Sequence, residues 1–164
     1  SLVASSHGIG LDNVLYYYLL ENTSHETALC EAFVDYAGLV GQKIVPYAAQ
    51  GSAELLSYFG HEYHRGITVT CPGFYAPQGR VVRAGLQFPQ LVNKLSDFRF
   101  ESHRITNFEM ETSAIFGLGK IFGHRCLAVN TIVANRISKT FTKDAKKSVE
   151  HMISRSLEII ETYF

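Results

Sequence analysis

The sequence predicts a single α/β domain in which helices flank a central, mixed β-sheet. Apolar runs rich in β-branched residues alternate along the 164 residues with stretches whose apolar side chains recur every three or four positions. No repeat, linker or low-complexity tract interrupts this alternation. Such a pattern is typical of layered α/β proteins whose sheet is largely parallel or mixed.

Five strands are predicted, at residues 2–5, 44–48, 66–71, 104–109 and 126–134. The first is already under way at Leu2 and no methionine precedes it, so we expect residues 1–164 to form one domain that is incomplete at its N-terminus. The stretch at residues 7–10 reads HGIG. It is glycine-rich but lacks the spacing of a phosphate-binding loop, and we expect it to form a turn after the first strand.

Five helices are predicted between and after these strands. They occupy residues 24–37, a short segment from the capping Ser52 to Gly60, residues 90–95, a segment from Glu111 to Gly123, and residues 142–163. The fourth helix carries an apolar stripe formed by Ala114, Ile115, Leu118, Ile121 and Phe122. The last helix has a predicted buried face that includes Val149, Met152, Ile153, Leu157 and Ile160.

Charge and composition limit the classes of molecule that this protein is expected to bind. The chain has 15 basic and 15 acidic residues, a formal charge of zero and 46% hydrophobic residues, which is typical of soluble globular proteins. This balance favours neither nucleic acid nor an anionic membrane as a partner. Neutrality gives little protection against self-association, so we expect an oligomer.

The number and spacing of the cysteines and histidines help to predict the cellular compartment and any metal site. The three cysteines are odd in number and far apart, which favours a reducing cytoplasm. No signal peptide or transmembrane segment is predicted. The HEYH stretch at residues 61–64 lacks the spacing of a zinc-protease helix, and no metal site is predicted.

The first of two polar motifs is a loop at residues 73–80 that reads GFYAPQGR. The Gln78 amide and the Arg80 guanidinium can together bond the carbonyl, imide N–H and second carbonyl of a uracil edge. Phe74 or Tyr75 can supply a ring on which the base stacks. The alternative is an ordinary surface turn, which also uses glycine, proline and aromatic residues.

The second motif is NFEMET at residues 107–112, where a predicted strand gives way to a helix. The carboxylates of Glu109 and Glu111 can hold the hydroxyls of a sugar. In the alternative interpretation Met110 fills the core and both glutamates favour a helix N-terminus. Arg136 follows the last predicted strand and either joins the base pocket or is a solvated strand end. Because the carboxyl ends of parallel strands meet at one sheet edge, both motifs are expected at one pocket.

The three segments GFYAPQGR, NFEMETSA and IVANR resemble, in order and spacing, the C-terminal part of the nucleoside phosphorylase family, in its uridine branch. The resemblance covers essentially the whole chain. It implies that Gln78, Arg80, Arg136 and Phe74 contact uracil. It also implies that Met110 and Glu111 hold the ribose, Glu111 through the 2'-hydroxyl, with Glu109 close behind.

The activity implied by the resemblance is phosphorolysis of uridine to uracil and ribose 1-phosphate. Inorganic phosphate is then the co-substrate, no other cofactor is needed, and Arg80 and Glu111 act in catalysis. The family's phosphate ligands lie in its N-terminal half, which would precede Ser1, and its members form dimer-based homo-oligomers that reach hexamers. Purine phosphorylases of the family carry an aspartate near the position of Asn135, so a purine substrate is not expected.

Two other functions stay open. A nucleosidase would use water instead of phosphate, although the Gln78 and Arg80 pair favours a pyrimidine over the adenine-type substrates usual in that class. A non-catalytic nucleoside-binding module would keep the base and ribose pocket without turnover.

Overall fold

A computed structural model describes residues 1–163. A mixed β-sheet flanked by helices lies at its centre, which confirms the predicted fold class. The sheet contains β1 (Leu2–Gly10), β2 (Tyr47–Gln50), β3 (Tyr63–Thr70), β4 (Arg99–Phe100), β5 (His103–Glu109) and β6 (Val129–Thr131). A separate hairpin contains β7 (Ala134–Asn135) and β8 (Thr140–Phe141).

The strand order is β2-β1-β3-β5-β4, and β6 also pairs with β1. The three central strands β1, β3 and β5 run parallel, whereas β2, β6 and β4 pair antiparallel at the margins. The carboxyl ends of β3 and β5 are therefore adjacent, with Thr70 opposite Glu109. This register brings the loop after β3 next to the NFEMET segment.

The helices are α1 (Ser24–Ala37), α2 (Ala53–Ser57), α3 (Leu91–Asp97), α4 (Thr112–Ile121) and α5 (Ala145–Tyr163). The bounds of α1 agree with the prediction because both of its ends carry local signals. Thr23 and Glu26 form a reciprocal capping box at its start, and Gly38 ends it in the left-handed region at φ 73°. Ser52 caps α2 through its hydroxyl, as predicted, but α2 ends at Ser57 rather than near Gly60.

The core lies mainly between α1, α3 and the parallel strands. Leu29 and Phe33 of α1 are fully buried against Ile67 and Val69 of β3 in one cluster. A second, smaller cluster joins the start of β1 to α5 through Leu2 and Ile159. No helix within residues 1–163 is long and apolar enough to cross a membrane.

The predicted turn at residues 7–10 is wrong, because these residues continue β1. His7–Gly10 pair with β2 on one side and with β3 on the other, so both sets of backbone groups are bonded within the sheet. The last predicted strand, at residues 126–134, is shorter than expected. It is reduced to β6 at Val129–Thr131 before the chain turns into the hairpin.

The predicted apolar stripe of α4 is only partly covered. Ala114 and Leu118 are half-buried, whereas Ile115, Ile121 and Phe122 are exposed. Phe116 and Gly117, which lie outside the predicted stripe, are buried. The helix lies so close to the sheet that a Cβ atom on Gly8 would be 2.7 Å from the Cα atom of Ser113. Small residues permit this approach, and the larger apolar side chains are left on the outer face.

The predicted buried face of α5 is mostly uncovered. Val149, Ile153, Leu157 and Ile160 are exposed, Met152 is half-buried, and Ile159, which was not predicted, is buried. The helix packs against the short strand β6, which covers only a narrow line of its surface. Apolar periodicity predicted the helix correctly but could not say how much of its face this part of the chain covers.

Candidate functional site

A cavity of about 800 Å³ opens beside the carboxyl ends of β3 and β5. Its walls come from the loop after β3, the second half of β5, the segment from β6 to β8 and part of α3. The seven side chains that the resemblance assigns to the site line this cavity: Phe74, Gln78, Arg80, Glu109, Met110, Glu111 and Arg136. The volume falls within the range of small-molecule sites in proteins.

The loop after β3 is a tight turn that fixes the direction of two polar side chains. Residues Ala76–Gln78 form a single 3₁₀ turn, and Gly79 follows with a φ of 74°. The backbone N–H groups of Gln78 and Arg80 both donate to the Tyr75 carbonyl, at 3.0 and 2.9 Å. A residue without a side chain is needed at position 79 because the left-handed conformation is costly for most others. The Gln78 side chain is only 6% exposed.

Arg80 connects the polar and aromatic parts of this loop. Its Nη1 atom donates to Gln78 Oε1 at 2.8 Å and to the Phe74 carbonyl, and its Cζ atom lies 3.3 Å from the centre of the Phe74 ring. The bond to Oε1 orients the Gln78 amide and leaves its two Nε2 protons for a ligand. Phe74 lines the cavity, whereas Tyr75 meets Phe74 edge-on and is not part of the cavity wall.

The two glutamates of the second motif differ in their surroundings. Glu109 Oε2 accepts hydrogen bonds from the backbone N–H groups of Glu111 and Thr112, both at 2.8 Å, and its Oε1 accepts from the Thr70 hydroxyl at 2.8 Å. Glu109 therefore caps the start of α4 and fixes the end of β5 against β3. This contact matches the helix N-terminus interpretation of Glu109.

Glu111 is the N-cap residue of α4, but its side chain makes no capping hydrogen bond. The carboxylate is exposed at the cavity wall beside Met110. The oxygens of this carboxylate are available as hydrogen-bond acceptors at the cavity. Glu111 is thus better placed than Glu109 to accept hydrogen bonds from a bound hydroxyl group.

Arg136 lies at the tip of the β7–β8 hairpin. Asn135 shapes this turn, since its Oδ1 atom accepts from the backbone N–H groups of Ile137 and Ser138 at 2.9 and 3.0 Å. Arg136 is half-buried and lines the cavity. The role of Arg136 in binding a base stays a prediction.

Sequence reasoning missed two amides in the cavity wall. Asn107 Oδ1 accepts from the hydroxyls of Thr68 and Thr106, at 2.7 and 3.2 Å, so it belongs to a polar network beneath the site. Asn130 Nδ2 is buried and has no hydrogen-bond partner within residues 1–163, which leaves a donor at the cavity. The available signal for Asn130 was a single amide inside an otherwise apolar strand.

Comparison with known proteins identifies relatives of the chain. Residues 11–164 match the family model described as the Phosphorylase superfamily. A curated uridine phosphorylase from Thermococcus kodakarensis is 35% identical over 107 residues, which cover 65% of this chain and 38% of the relative.

Solved structures of nucleoside and uridine phosphorylases are similar to this chain in fold. A Trypanosoma brucei nucleoside phosphorylase, described as showing uridine phosphorylase activity, has a TM-score of 0.83 and 26% identity, over 98% of this chain and 56% of its own. An apo uridine phosphorylase from Schistosoma mansoni has a TM-score of 0.56 and 20% identity, over 99% of this chain and 53% of its own. This similarity shows the fold alone. The chain spans about half or less of the length of these relatives.

Proposed function

Because the chain belongs to the Phosphorylase superfamily, we propose that it provides the nucleoside-binding part of a phosphorylase that converts uridine and inorganic phosphate to uracil and ribose 1-phosphate. The observation that carries this proposal is the placement of the Gln78 and Arg80 pair and of Glu111 on the wall of one cavity. The uridine phosphorylase from Thermococcus kodakarensis, at 35% identity, supports the choice of nucleoside.

Uracil binds against the loop after β3. The Gln78 amide donates through Nε2 to one carbonyl, and Oε1, which already accepts from Arg80, has a second lone pair for the imide N–H. Arg80 and Arg136 donate to the carbonyls. Phe74 offers the ring face opposite to the Arg80 guanidinium for contact with the base and ribose.

The ribose binds at the start of α4. Glu111 accepts from the 2'-hydroxyl, Met110 contacts the sugar, and Glu109 lies directly behind them. The Glu109 carboxylate already bonds Thr70 and the start of α4, so its main part in the proposal is to hold Met110 and Glu111 in place. Sugar orientation of this kind lowers the barrier because the reacting atoms are positioned before reaction.

In the proposed reaction, phosphate attacks C1' of uridine and the C1'–N1 bond breaks through an oxocarbenium-like transition state. The bonding electrons pass to the uracil, where the negative charge spreads to the carbonyl oxygens. Arg80 and Gln78 meet this charge with preoriented donors, and the loss of one such donor typically costs ~3 kcal/mol. No cofactor takes part. The phosphate ligands are proposed to belong to a segment preceding Ser1.

We further propose a dimer-based homo-oligomer, up to a hexamer, in the cytoplasm, without nucleic-acid or membrane partners. Exposed apolar side chains on the outer face of α4, together with zero formal charge, favour self-association. The cysteines Cys30, Cys71 and Cys126 are all free thiols, which suits a reducing compartment. Light scattering coupled to size-exclusion chromatography would measure the oligomer mass, and a monomer would contradict the proposed assembly.

The decisive experiment is to incubate the protein, purified together with the proposed phosphate-binding segment, with uridine, with and without inorganic phosphate, and to quantify uracil, ribose 1-phosphate and ribose by chromatography. Phosphate-dependent formation of uracil and ribose 1-phosphate is the expected result. Uracil with free ribose in both tubes would identify a nucleosidase. Uridine binding by calorimetry without any uracil would identify a non-catalytic binding module.

A further inference from the structure

A second cluster of polar side chains lies apart from the cavity. Its members are His7 in β1, His25 in the first turn of α1, His103 at the start of β5 and Glu101 in the turn between β4 and β5. None of these four lines the nucleoside cavity. Their separation along the chain explains why sequence spacing predicted no metal site here.

Three of the four side chains bring their ligand atoms into one small volume. The Nε2 atom of His25 lies 3.3 Å from Oε2 of Glu101, and ligand atoms of His25, Glu101 and His103 all lie within 4.8 Å of one another. Two ligands of a tetrahedral Zn²⁺ with bonds of about 2.0–2.1 Å are about 3.3 Å apart. The His25 and Glu101 pair already has this separation.

The fourth side chain, His7, supplies an unused lone pair. The Ser6 hydroxyl donates to the Gly66 carbonyl at 3.0 Å, so its oxygen accepts from Nδ1–H of His7 at 3.1 Å. That bond places the His7 proton on Nδ1 and leaves Nε2 as an acceptor. His7 is 2% exposed, and its Nε2 atom has no hydrogen-bond partner within the described chain. Metal-binding histidines commonly have their other nitrogen fixed by such a hydrogen bond.

The three imidazole rings lie close to one another, with ring centres no more than 6.2 Å apart. The ring centre of His7 is 5.4 Å from that of His25 and 4.8 Å from that of His103, and the His25 and His103 centres are 6.2 Å apart. Zn²⁺ bonds of about 2.0–2.1 Å in a tetrahedral site put ring centres roughly 5 Å apart. The two distances from His7 are close to this value, and binding of one ion by all three rings requires the His25 and His103 rings to rotate toward each other.

We propose that His7, His25, Glu101 and His103 bind one Zn²⁺ ion. Three imidazoles and one carboxylate suit Zn²⁺ rather than Mg²⁺ or Ca²⁺, which prefer oxygen ligands. Four protein ligands leave no open position for a substrate, so the ion is structural. It ties β1, α1 and the β4–β5 turn together, and it stabilises the fold by an amount that rises with the logarithm of the free Zn²⁺ concentration above the dissociation constant.

The test uses the whole protein without a histidine tag, stripped with a chelator and then titrated with Zn²⁺ against a chromophoric competitor. The variants are His103→Gln, Glu101→Gln and His7→Gln, and the control is His64→Gln, which removes an exposed histidine from β3. We expect the parent protein to bind one Zn²⁺ per chain. Each ligand variant should bind Zn²⁺ more than about 10-fold more weakly, because mutating even a residue that only hydrogen-bonds a metal ligand typically lowers affinity by that much. The control should bind Zn²⁺ like the parent protein.

Co²⁺ provides a second measurement that does not depend on the stability of the variants. Bound at this site in the parent protein, it should show the intense visible bands of tetrahedral coordination, and added Zn²⁺ should displace it. Weak octahedral bands, or Zn²⁺ affinity equal in the ligand variants and the control, would overturn the proposal. The His25 and Glu101 contact would then be a hydrogen bond alone.

Discussion

Arg80 packs its guanidinium against the face of the Phe74 ring, with Cζ 3.3 Å from the ring centre. The same group donates to Gln78 Oε1, so one arginine positions both the ring and the amide of the proposed uracil site. A planar guanidinium can stack and donate at the same time, whereas an ammonium group offers a point charge without a flat face.

Replacing Arg80 with lysine should therefore impair uridine cleavage while the fold is kept. We expect Arg80→Lys to lower kcat/KM for uridine by roughly 10²-fold or more, the usual effect of losing one preoriented donor. Arg83→Lys, an exposed position in the same loop that does not line the cavity, is the matched control. Equal kcat/KM values in the two variants would contradict the role proposed for Arg80.

Glu111 should determine the preference for a ribonucleoside. Because its carboxylate is proposed to accept from the 2'-hydroxyl, the parent protein should use 2'-deoxyuridine less well than uridine. Glu111→Ala should reduce kcat/KM for uridine much more than for 2'-deoxyuridine, since only uridine loses a partner. Steady-state kinetics with both nucleosides measures this, and a similar loss for the two substrates would argue against contact with the 2'-hydroxyl.

The ion pair between Lys120 and Glu26 should matter for stability. Lys120 Nζ lies 2.6 Å from Glu26 Oε2, and the Glu26 side chain is 1% exposed, so the pair connects α1 with the end of α4. Lys120→Met leaves a buried carboxylate without its cation, which should cost about 3 kcal/mol of unfolding free energy.

Lys146→Met is the control for the Lys120 variant. Lys146 pairs with Glu150 at 3.9 Å on the exposed surface of α5, and loss of such a pair should change stability by less than about 0.5 kcal/mol. Urea unfolding of both variants measures the difference. Similar urea midpoints would show that the hydrogen bonds from the backbone N–H groups of Thr23 and Gln50 are enough to stabilise the buried Glu26 carboxylate.

Stability should fall at alkaline pH because the buried Cys71 thiol and the half-buried Cys30 thiol are held in their neutral form. Burial, followed by the charge of Glu31, raises the pKa of Cys30 to about 11. Burial, followed by the charges of Glu109 and Asp12, raises the pKa of Cys71 to about 12. A raised pKa in the folded state gives stability that is fully present below the ordinary thiol pKa of 9.0 and lost as pH rises toward these values.

Cys71→Ala should make the stability less dependent on alkaline pH, although it removes some core packing at every pH. Urea unfolding at a series of pH values measures the slope in each protein. An unchanged slope in Cys71→Ala would show that the Cys71 thiol does not contribute. Cys71 should also react slowly with thiol reagents at neutral pH, since its thiolate is scarce there.

Local signals in the sequence were sufficient for several features of this protein. The ends of α1 were predictable because the Thr23 and Glu26 capping box and Gly38 each act within one turn of helix. The alternation of strands and helices predicted the α/β fold class. The loop with Gln78 and Arg80 and the segment with Glu111 were predicted to meet because parallel strands end at one edge of a sheet.

The tertiary structure decided what depends on contacts between distant segments. Pairing on both sides extended β1 through His7, and close packing of α4 on Gly8 turned Ile115 and Phe122 outward. The hydrogen bond from the Thr70 hydroxyl, on the neighbouring strand, gives Glu109 surroundings that differ from those of Glu111. The approach of His7, His25 and His103 likewise required the sheet and α1 to be assembled. Periodicity and capping act over a few residues, whereas these relationships follow from strand order and packing distance, which no short stretch of sequence encodes.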